Sequence, residues 1–312
     1  MHVPDGFINA PVSAATGVLS FGTLWAYIRS ARHLIADKFI ALTGMMTALI
    51  FVLQMINFPV AAGTSGHLLG GALAVIVLGP RLGLICLSVV VIIQSLLFAD
   101  GGLSALGINV MNMAIVTSVV AWVVVKYWIK FIGKNPSSLF IVSILSGTVS
   151  VIFSSIAFMM QYILGGTVSI PIGTVLIAMI SIHFFIGVGE GIITAFIVSL
   201  LVRVRPDLVY AYDRDDKNTT GVSLYGLFIM LILLLSLVTP FASSSPDGLE
   251  SVAEEFGFEE TDGIVLLLED YGISSINNNF ISTVLSALLG IAAIAIITAL
   301  VLNRRESGKK TN

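Results

Sequence analysis

The feature that most constrains this chain is a succession of apolar runs that leaves no water-soluble fold open to it. A membrane-crossing helix needs about 20 predominantly apolar residues, each adding ~1.5 Å. Such runs occupy residues 8–28, 39–58, 67–79, 82–98, 107–125, 139–163, 172–202, 223–243 and 280–302. They are continuous rather than alternating, which points to helices and away from a β-barrel. Charged residues make up 11% of the 312, where a soluble domain carries roughly 25%. The expected fold is therefore all-α: a polytopic helical membrane protein with about nine transmembrane helices. A net charge of −3 excludes a nucleic-acid binder. Cys86 is the single cysteine, so an intramolecular disulfide and a multi-thiolate metal site are both excluded.

Gly79-Pro80-Arg81-Leu82-Gly83 interrupts one long apolar stretch. Proline lacks a backbone donor and glycine permits a tight turn, so the spacing predicts a helical hairpin over 67–98. Charge tests that layout. With the N-terminus outside, the cytoplasmic segments 29–38, 80–81, 126–138, 203–222 and 303–312 hold all 15 Lys and Arg. This is the positive-inside pattern, and it gives an extracytoplasmic N-terminus and a cytoplasmic C-terminus. The first residues contain no Lys or Arg, unlike a signal peptide. Met1 is thus expected to remain at the mature, exported terminus, because methionine is normally trimmed only before small residues and His2 is bulky.

Three segments follow from the pattern. Residues 1–205 form a seven-span domain, 206–222 a polar cytoplasmic linker, and 223–312 a second module of two spans flanking an acidic outer loop. That loop carries Asp247, Glu250, Glu254, Glu255, Glu259, Glu260, Asp262, Glu269 and Asp270 with no base among them. It reads as a solvated loop or as an antechamber that concentrates cations by electrostatic focusing.

Four histidines occur. His33 lies in a basic cytoplasmic loop and reads as a surface residue. His2 and His67 both fall on the outer side of a chain poor in polar groups. A free terminal amine at Met1, the amide nitrogen of His2 and its imidazole can chelate one ion in fused rings. A fourth nitrogen from His67 would complete a square plane, a geometry suited to Ni(II) or Cu(II). Pro4-Asp5-Gly6 can fold the terminus back, and Ala61-Ala62-Gly63-Thr64-Ser65-Gly66 leaves it room.

His183 and Glu190 lie seven apart on one span, hence on one face and about 10 Å apart along the axis. Ionisable groups at membrane depth usually mark function. Counting inward from residue 172 puts His183 near the midplane and Glu190 toward the cytoplasm, both too deep for an outer metal site. They are candidate coupling groups, or a buried polar pair held by Asn109, Asn112, Gln94 or Gln161. Gly66 and Gly70 match a GxxxG spacing, which reads as close helix contact.

Met1-His2-Val3-Pro4-Asp5-Gly6-Phe7 and Ala62-Gly63-Thr64-Ser65-Gly66-His67-Leu68-Leu69-Gly70-Gly71 resemble signature segments of the nickel/cobalt capture subunits of energy-coupling-factor (ECF) transporters. So do Asp100-Gly101-Gly102-Leu103, Ala105-Leu106-Gly107-Ile108-Asn109 and His183-Phe184-Phe185-Ile186-Gly187-Val188-Gly189-Glu190. Pro246-Asp247-Gly248-Leu249-Glu250 resembles the motif of the small accessory (PDGLE) subunit, which some members carry as a fusion. The resemblance implies a substrate-specific component of an ATP-driven importer in a prokaryotic cell membrane, with Ni²⁺ or Co²⁺ as cargo and no bound cofactor. It implies metal held by the amine of Met1, the amide and imidazole of His2, and His67. Implied partners are a transmembrane coupling subunit and two cytoplasmic ATPases. The chain has no GxxxxGK[ST] stretch of its own, so it is not expected to be an enzyme. Two other readings stand beside this one: a self-sufficient proton-coupled permease using His183 and Glu190, and an intramembrane enzyme using the same pair. A backbone-amide ligand favours nickel over cobalt, following the Irving–Williams order.

Overall fold

The computed structural model describes residues 1–31, 37–60, 64–168, 171–212, 223–255, 268 and 271–302. His33 and the loop acids Glu259, Glu260, Asp262, Glu269 and Asp270 lie outside them. Ten helices follow in order: α1 (Ala10–Ala31), α2 (Asp37–Gln54), α3 (Gly71–Leu97), α4 (Leu106–Asn109), α5 (Thr117–Ile132), α6 (Pro136–Gly165), α7 (Ile172–Val204), α8 (Leu224–Ser236), α9 (Gly248–Glu255) and α10 (Asn279–Leu302). A π-helical segment, Val110–Val116, joins α4 to α5 without a break. Between α2 and α3 a short ribbon pairs β1 (Phe58–Pro59) with β2 (Ser65–Gly66), antiparallel. The ribbon departs from a purely helical expectation.

Among the described residues, five helical stretches are long and apolar enough to cross a membrane: Pro80–Leu97, Leu106–Ile132, Pro136–Gly165, Ile172–Val204 and Asn279–Thr298. Two shorter apolar helices, Ile40–Gln54 and Tyr225–Phe241, accompany them. Close packing rests on small residues. A methyl group on Gly147 of α6 would fall 2.7 Å from the Cα of Gly191 on α7.

α3 turns back on itself at Gly79. There φ is 80° and ψ 169°, outside the helical region, and Pro80 supplies no donor to continue the ladder. A Cβ on Gly83 would lie 3.0 Å from the carbonyl carbon of Ala74. Nine residues along a straight helix would separate those two by about 13 Å. The two arms are therefore packed side by side as the hairpin the sequence predicts.

The first arm departs from the expected helix over 67–79, because helix begins only at Gly71. Residues 64–70 are non-helical but buried, within a strand and the loop that follows it. Non-helical backbone is tolerated at membrane depth only where protein buries it and supplies partners. Here Gln54 Nε2 donates to the Leu69 carbonyl at 2.8 Å. The amides of Leu69 and Gly70 donate to Glu190 at 2.7 and 3.2 Å. This corrects two expectations. Gly66 and Gly70 make no helical GxxxG contact, since Gly66 is in a strand and Gly70 has φ 87°. Glu190 does not pair with Asn109, Asn112, Gln94 or Gln161; it caps the buried entry into α3.

Candidate metal centre

The N-terminal segment is threaded into the bundle rather than left free. Val3 donates its amide to Asn109 Oδ1 at 2.8 Å, and Asn109 Nδ2 returns a bond to the Val3 carbonyl at 3.2 Å. Gly102 donates to the same carbonyl at 3.0 Å. Asp5 accepts from the amides of Leu103 and Ser104 at 3.2 and 2.7 Å. Phe7 is fully buried against Phe158 and Tyr162. The Met1 side chain is buried too, its Sδ 3.2 Å from Ser154 Oγ. Each contact fixes the backbone upstream, so the amine is delivered to one place.

That place is His67. The terminal amine lies 3.2 Å from His67 Nε2. The His2 ring stacks on the His67 ring, with centroids 5.1 Å apart and planes 26° from parallel. His67 Nδ1 faces its neighbour's carbonyl, Leu68 O, at 3.1 Å, which directs Nε2 toward the amine. A carbonyl only accepts, so Nδ1 carries the ring proton and Nε2 keeps its lone pair toward the amine. A neutral imidazole with a free lone pair is the state a metal ligand requires.

Two carboxylates complete the cluster, and sequence reasoning did not assign either to it. Asp247 pairs directly with the terminal amine. Asp100 Oδ1 lies 2.8 Å from His2 Nδ1, and its Oδ2 accepts from the Tyr271 hydroxyl. Burial opposes ionisation of Asp100, but the charge and hydrogen bond of His2 outweigh it and hold the pKa at about 2. Asp247 is driven well below the usual carboxylate range in the same way, against burial, by the amine's charge and hydrogen bond. His2, His67 and Asp247 bring potential ligand atoms within 4.8 Å of one another.

Asp247 reaches the site because residues 245–247 run beside β2. Ser65 donates its amide to Pro246 O at 2.8 Å and its hydroxyl to Ser245 O at 2.6 Å. Asp247 Oδ1 caps α9 through the amides of Leu249 and Glu250 at 2.7 and 2.9 Å. The signal in the sequence was the Pro-Asp-Gly-Leu-Glu run itself. Nothing local distinguished its Asp from the eight other acids of the loop.

The remaining candidates separate. Asn109 clamps the N-terminal segment, whereas Asn112 forms a closed amide pair with Gln161 at 2.8 and 2.9 Å, bridging the π-helical segment and α6. Gln94 Nε2 donates to the Tyr271 hydroxyl at 3.0 Å, and its Oε1 lies 3.4 Å from His2 Nε2. His183 is not too deep for the site, as counting from residue 172 suggested. A methyl on Gly248, the residue after Asp247, would sit 3.5 Å from His183 Cε1. Glu190 likewise reaches the loop that carries His67. The counting misled because α7 has 33 residues, about 50 Å of helix against a hydrocarbon core of about 30 Å.

A helical membrane bundle that gathers an amine, imidazoles and carboxylates at one end defines a transition-metal transport component. Residues 2–208 match the family model described as the cobalt uptake substrate-specific transmembrane region. Residues 222–304 match the PDGLE domain. The chain belongs to this nickel/cobalt capture family, with a PDGLE domain fused behind the capture region. It is 33% identical over 298 residues to the putative fused nickel transport protein NikMN of Archaeoglobus fulgidus, covering 93% of this chain and 94% of that one. It is 26% identical to the fused nickel transport protein NikMN of Rhodobacter capsulatus, covering 94% and 95%. A crystal structure of a truncated transition-metal transporter superposes with a TM-score of 0.58 at 25% identity, over 65% of this chain and 99% of that one.

Proposed function

We propose that this chain is the substrate-capture component, fused to its accessory domain, of an ATP-driven ECF importer for Ni²⁺, with Co²⁺ as the second choice. The cargo is held by the amine of Met1, the amide and imidazole of His2, and His67 Nε2. One observation carries the reading: a buried terminal amine 3.2 Å from the bare nitrogen of His67, with His2 as the very next residue. Amine, adjacent amide and imidazole close fused chelate rings only at a chain terminus. The nitrogens involved now face Asp247 and Asp100. Loading exchanges those carboxylates for the ion and releases protons from the amine and the amide. An ion that displaces an amide proton readily is selected, which favours Ni²⁺ over Co²⁺.

The capture domain is residues 1–205, the linker 206–222 and the accessory domain 223–312. Nine crossings, with the N-terminus outside and the C-terminus in the cytoplasm of a prokaryotic cell, follow from the distribution of all 15 basic residues. Energy comes from a transmembrane coupling subunit and two ATPases, since the chain carries no phosphate-binding loop. Glu190 spends its carboxylate on the Leu69 and Gly70 amides, which argues against a His183–Glu190 proton line.

The test is a single residue added before Met1. It moves the amine away and places the imidazole third in the chain, so Ni²⁺ binding measured by isothermal titration should vanish while the protein inserts and folds. His67→Ala should weaken Ni²⁺ by more than about a hundredfold, beyond the 10–100-fold typical of outer-shell losses. Full binding by the extended chain would overturn the reading.

A further inference from the structure

His183 is wholly buried on α7, and the capture site as described does not use it. Its Nδ1 lies 2.8 Å from the Met179 carbonyl. A carbonyl only accepts, so Nδ1 carries the ring proton and Nε2 carries a lone pair. That Nε2 is buried with no hydrogen-bond partner among the described residues. A proton placed there would be a buried donor with no acceptor, so the lone pair is what the surroundings leave.

His67 is built to the same plan. Its Nδ1 faces the Leu68 carbonyl at 3.1 Å and its Nε2 faces the terminal amine. Metal-ligating histidines typically donate their second nitrogen to a carbonyl or carboxylate, which fixes the tautomer and aims the lone pair. Of the two rings prepared in this way, one is already given a role and the other is not.

Position links them. Gly248 lies beside His183: a Cβ added there would sit 3.5 Å from Cε1, the ring carbon between Nδ1 and Nε2. Asp247, one residue back, holds the terminal amine. The bare nitrogen therefore lies at the seam between α7 and the PDGLE segment, beside the capture site.

We propose that His183 Nε2 is a metal ligand of a second, inner position for the transported divalent cation, next to the Asp247 carboxylate. The proposal deepens the capture reading and rests on it for the identity of the ion. Nε2 donates its lone pair without losing a proton, so no co-reactant is needed. One imidazole beside a carboxylate binds more weakly than four nitrogens in a plane. A weaker second position gives an ion leaving the capture site a place to pass through, as multi-site pathways do in channels.

The experiment titrates the purified full-length chain in detergent with Co²⁺, read by visible absorption, and with Ni²⁺, read by calorimetry. The expected result is one tight and one weak equivalent. His183→Ala and His183→Gln remove the weak equivalent and leave the tight one, whereas His67→Ala removes the tight one and leaves the weak. Thermal unfolding without metal identifies variants that keep the wild-type Tm, and Gln retains a donor for the Met179 carbonyl. A wild-type chain that takes one equivalent up to millimolar Co²⁺ overturns the inner position. So does a weak equivalent that persists in a folded His183→Gln, or a His183 variant that loses both equivalents. Failure of the capture reading looks different: a tight equivalent that survives His67→Ala.

Discussion

Residues 2–208 and 222–304 both turn apolar side chains outward, but they bury different kinds of polar group. The first region buries its polar groups deliberately. Asn109, Asn112, Gln94, His67 and Glu190 are all at most 5% exposed, and each has a partner in the structure. Among the described residues, the polar groups that the second region buries are Ser and Thr hydroxyls, such as Ser236, Thr239 and Ser286, while Ile229, Met230 and Leu234 on α8, and Leu289, Ile296 and Leu300 on α10, are each at least 50% exposed. It packs on the first region along α10 against α2 and α3, and along α8 against α2. Tyr271 stacks on Phe98 at 4.8 Å, Gly290 lets Phe51 and Phe98 approach α10, and Ser65 binds the strand before α9. This region also supplies Asp247 to the amine and Tyr271 to Asp100. The candidate ligands belong to one region, and part of what orients them belongs to the other.

If that division holds, the second region's contacts should tune the site without creating it. Asp247→Asn is the strongest such change. Asp247 pairs with the amine, and a Ni²⁺ bound with one deprotonated amide carries the same net single positive charge as the ammonium, so the Coulomb terms nearly cancel and what Asp247 adds is orientation of the amine. At the capture site Ni²⁺ should bind about tenfold more weakly in Asp247→Asn, the low end of the range for outer-shell partners, with the tight equivalent retained. Loss of binding as complete as in His67→Ala would break the comparison and make Asp247 a ligand in its own right.

Tyr271→Phe should do less. The phenol donates to Asp100, which in turn faces His2 Nδ1, and Phe keeps the stacking on Phe98. One hydrogen bond to a charged group contributes about 1.5–3 kcal/mol where nothing replaces it. Gln94 Nε2 lies 3.0 Å from the same hydroxyl and can re-pair locally. The effect on affinity should stay within about tenfold, smaller than that of Asp247→Asn. A larger loss would mean that Asp100, through Tyr271, sets the chelate geometry more firmly than Asn109 does.

Much of this arrangement was legible in the sequence where one short segment decided it. Gly79-Pro80 announced the hairpin, and the apolar runs located the long helices. The run from Met1 to Phe7 and the run ending at His67 named the two ends of the cluster. What stayed hidden depended on distant pairings. Asp247 and Met1 are 246 residues apart, and periodicity carries no information about such a contact. Glu190 was misread because its partners are backbone amides of Leu69 and Gly70, and a backbone donor leaves no mark in a sequence. The same holds for the non-helical stretch before Gly71, whose apolar composition imitates a helix.

The smallest expected effect concerns charge alone. Beyond Asp247 and Glu250, the outer loop carries Glu254, Glu255, Glu259 and Glu260 within seven positions and no base to offset them. Such a run raises the local concentration of divalent cations through the field it projects, and that field is screened over about 10 Å at 0.1 M salt and about 30 Å at 0.01 M. Changing those four Glu to Gln leaves every nitrogen at the capture site in place. The equilibrium affinity for Ni²⁺ should therefore move little, while stopped-flow capture slows at low salt and matches wild type at high salt. A rate unchanged at low ionic strength would leave the loop as ordinary solvated surface. Slowing at every salt concentration would point the other way, because screening cannot spare a contact. It would mean that these acids hold the 245–247 strand against Ser65, and that the second region's part in the site begins before the ion arrives.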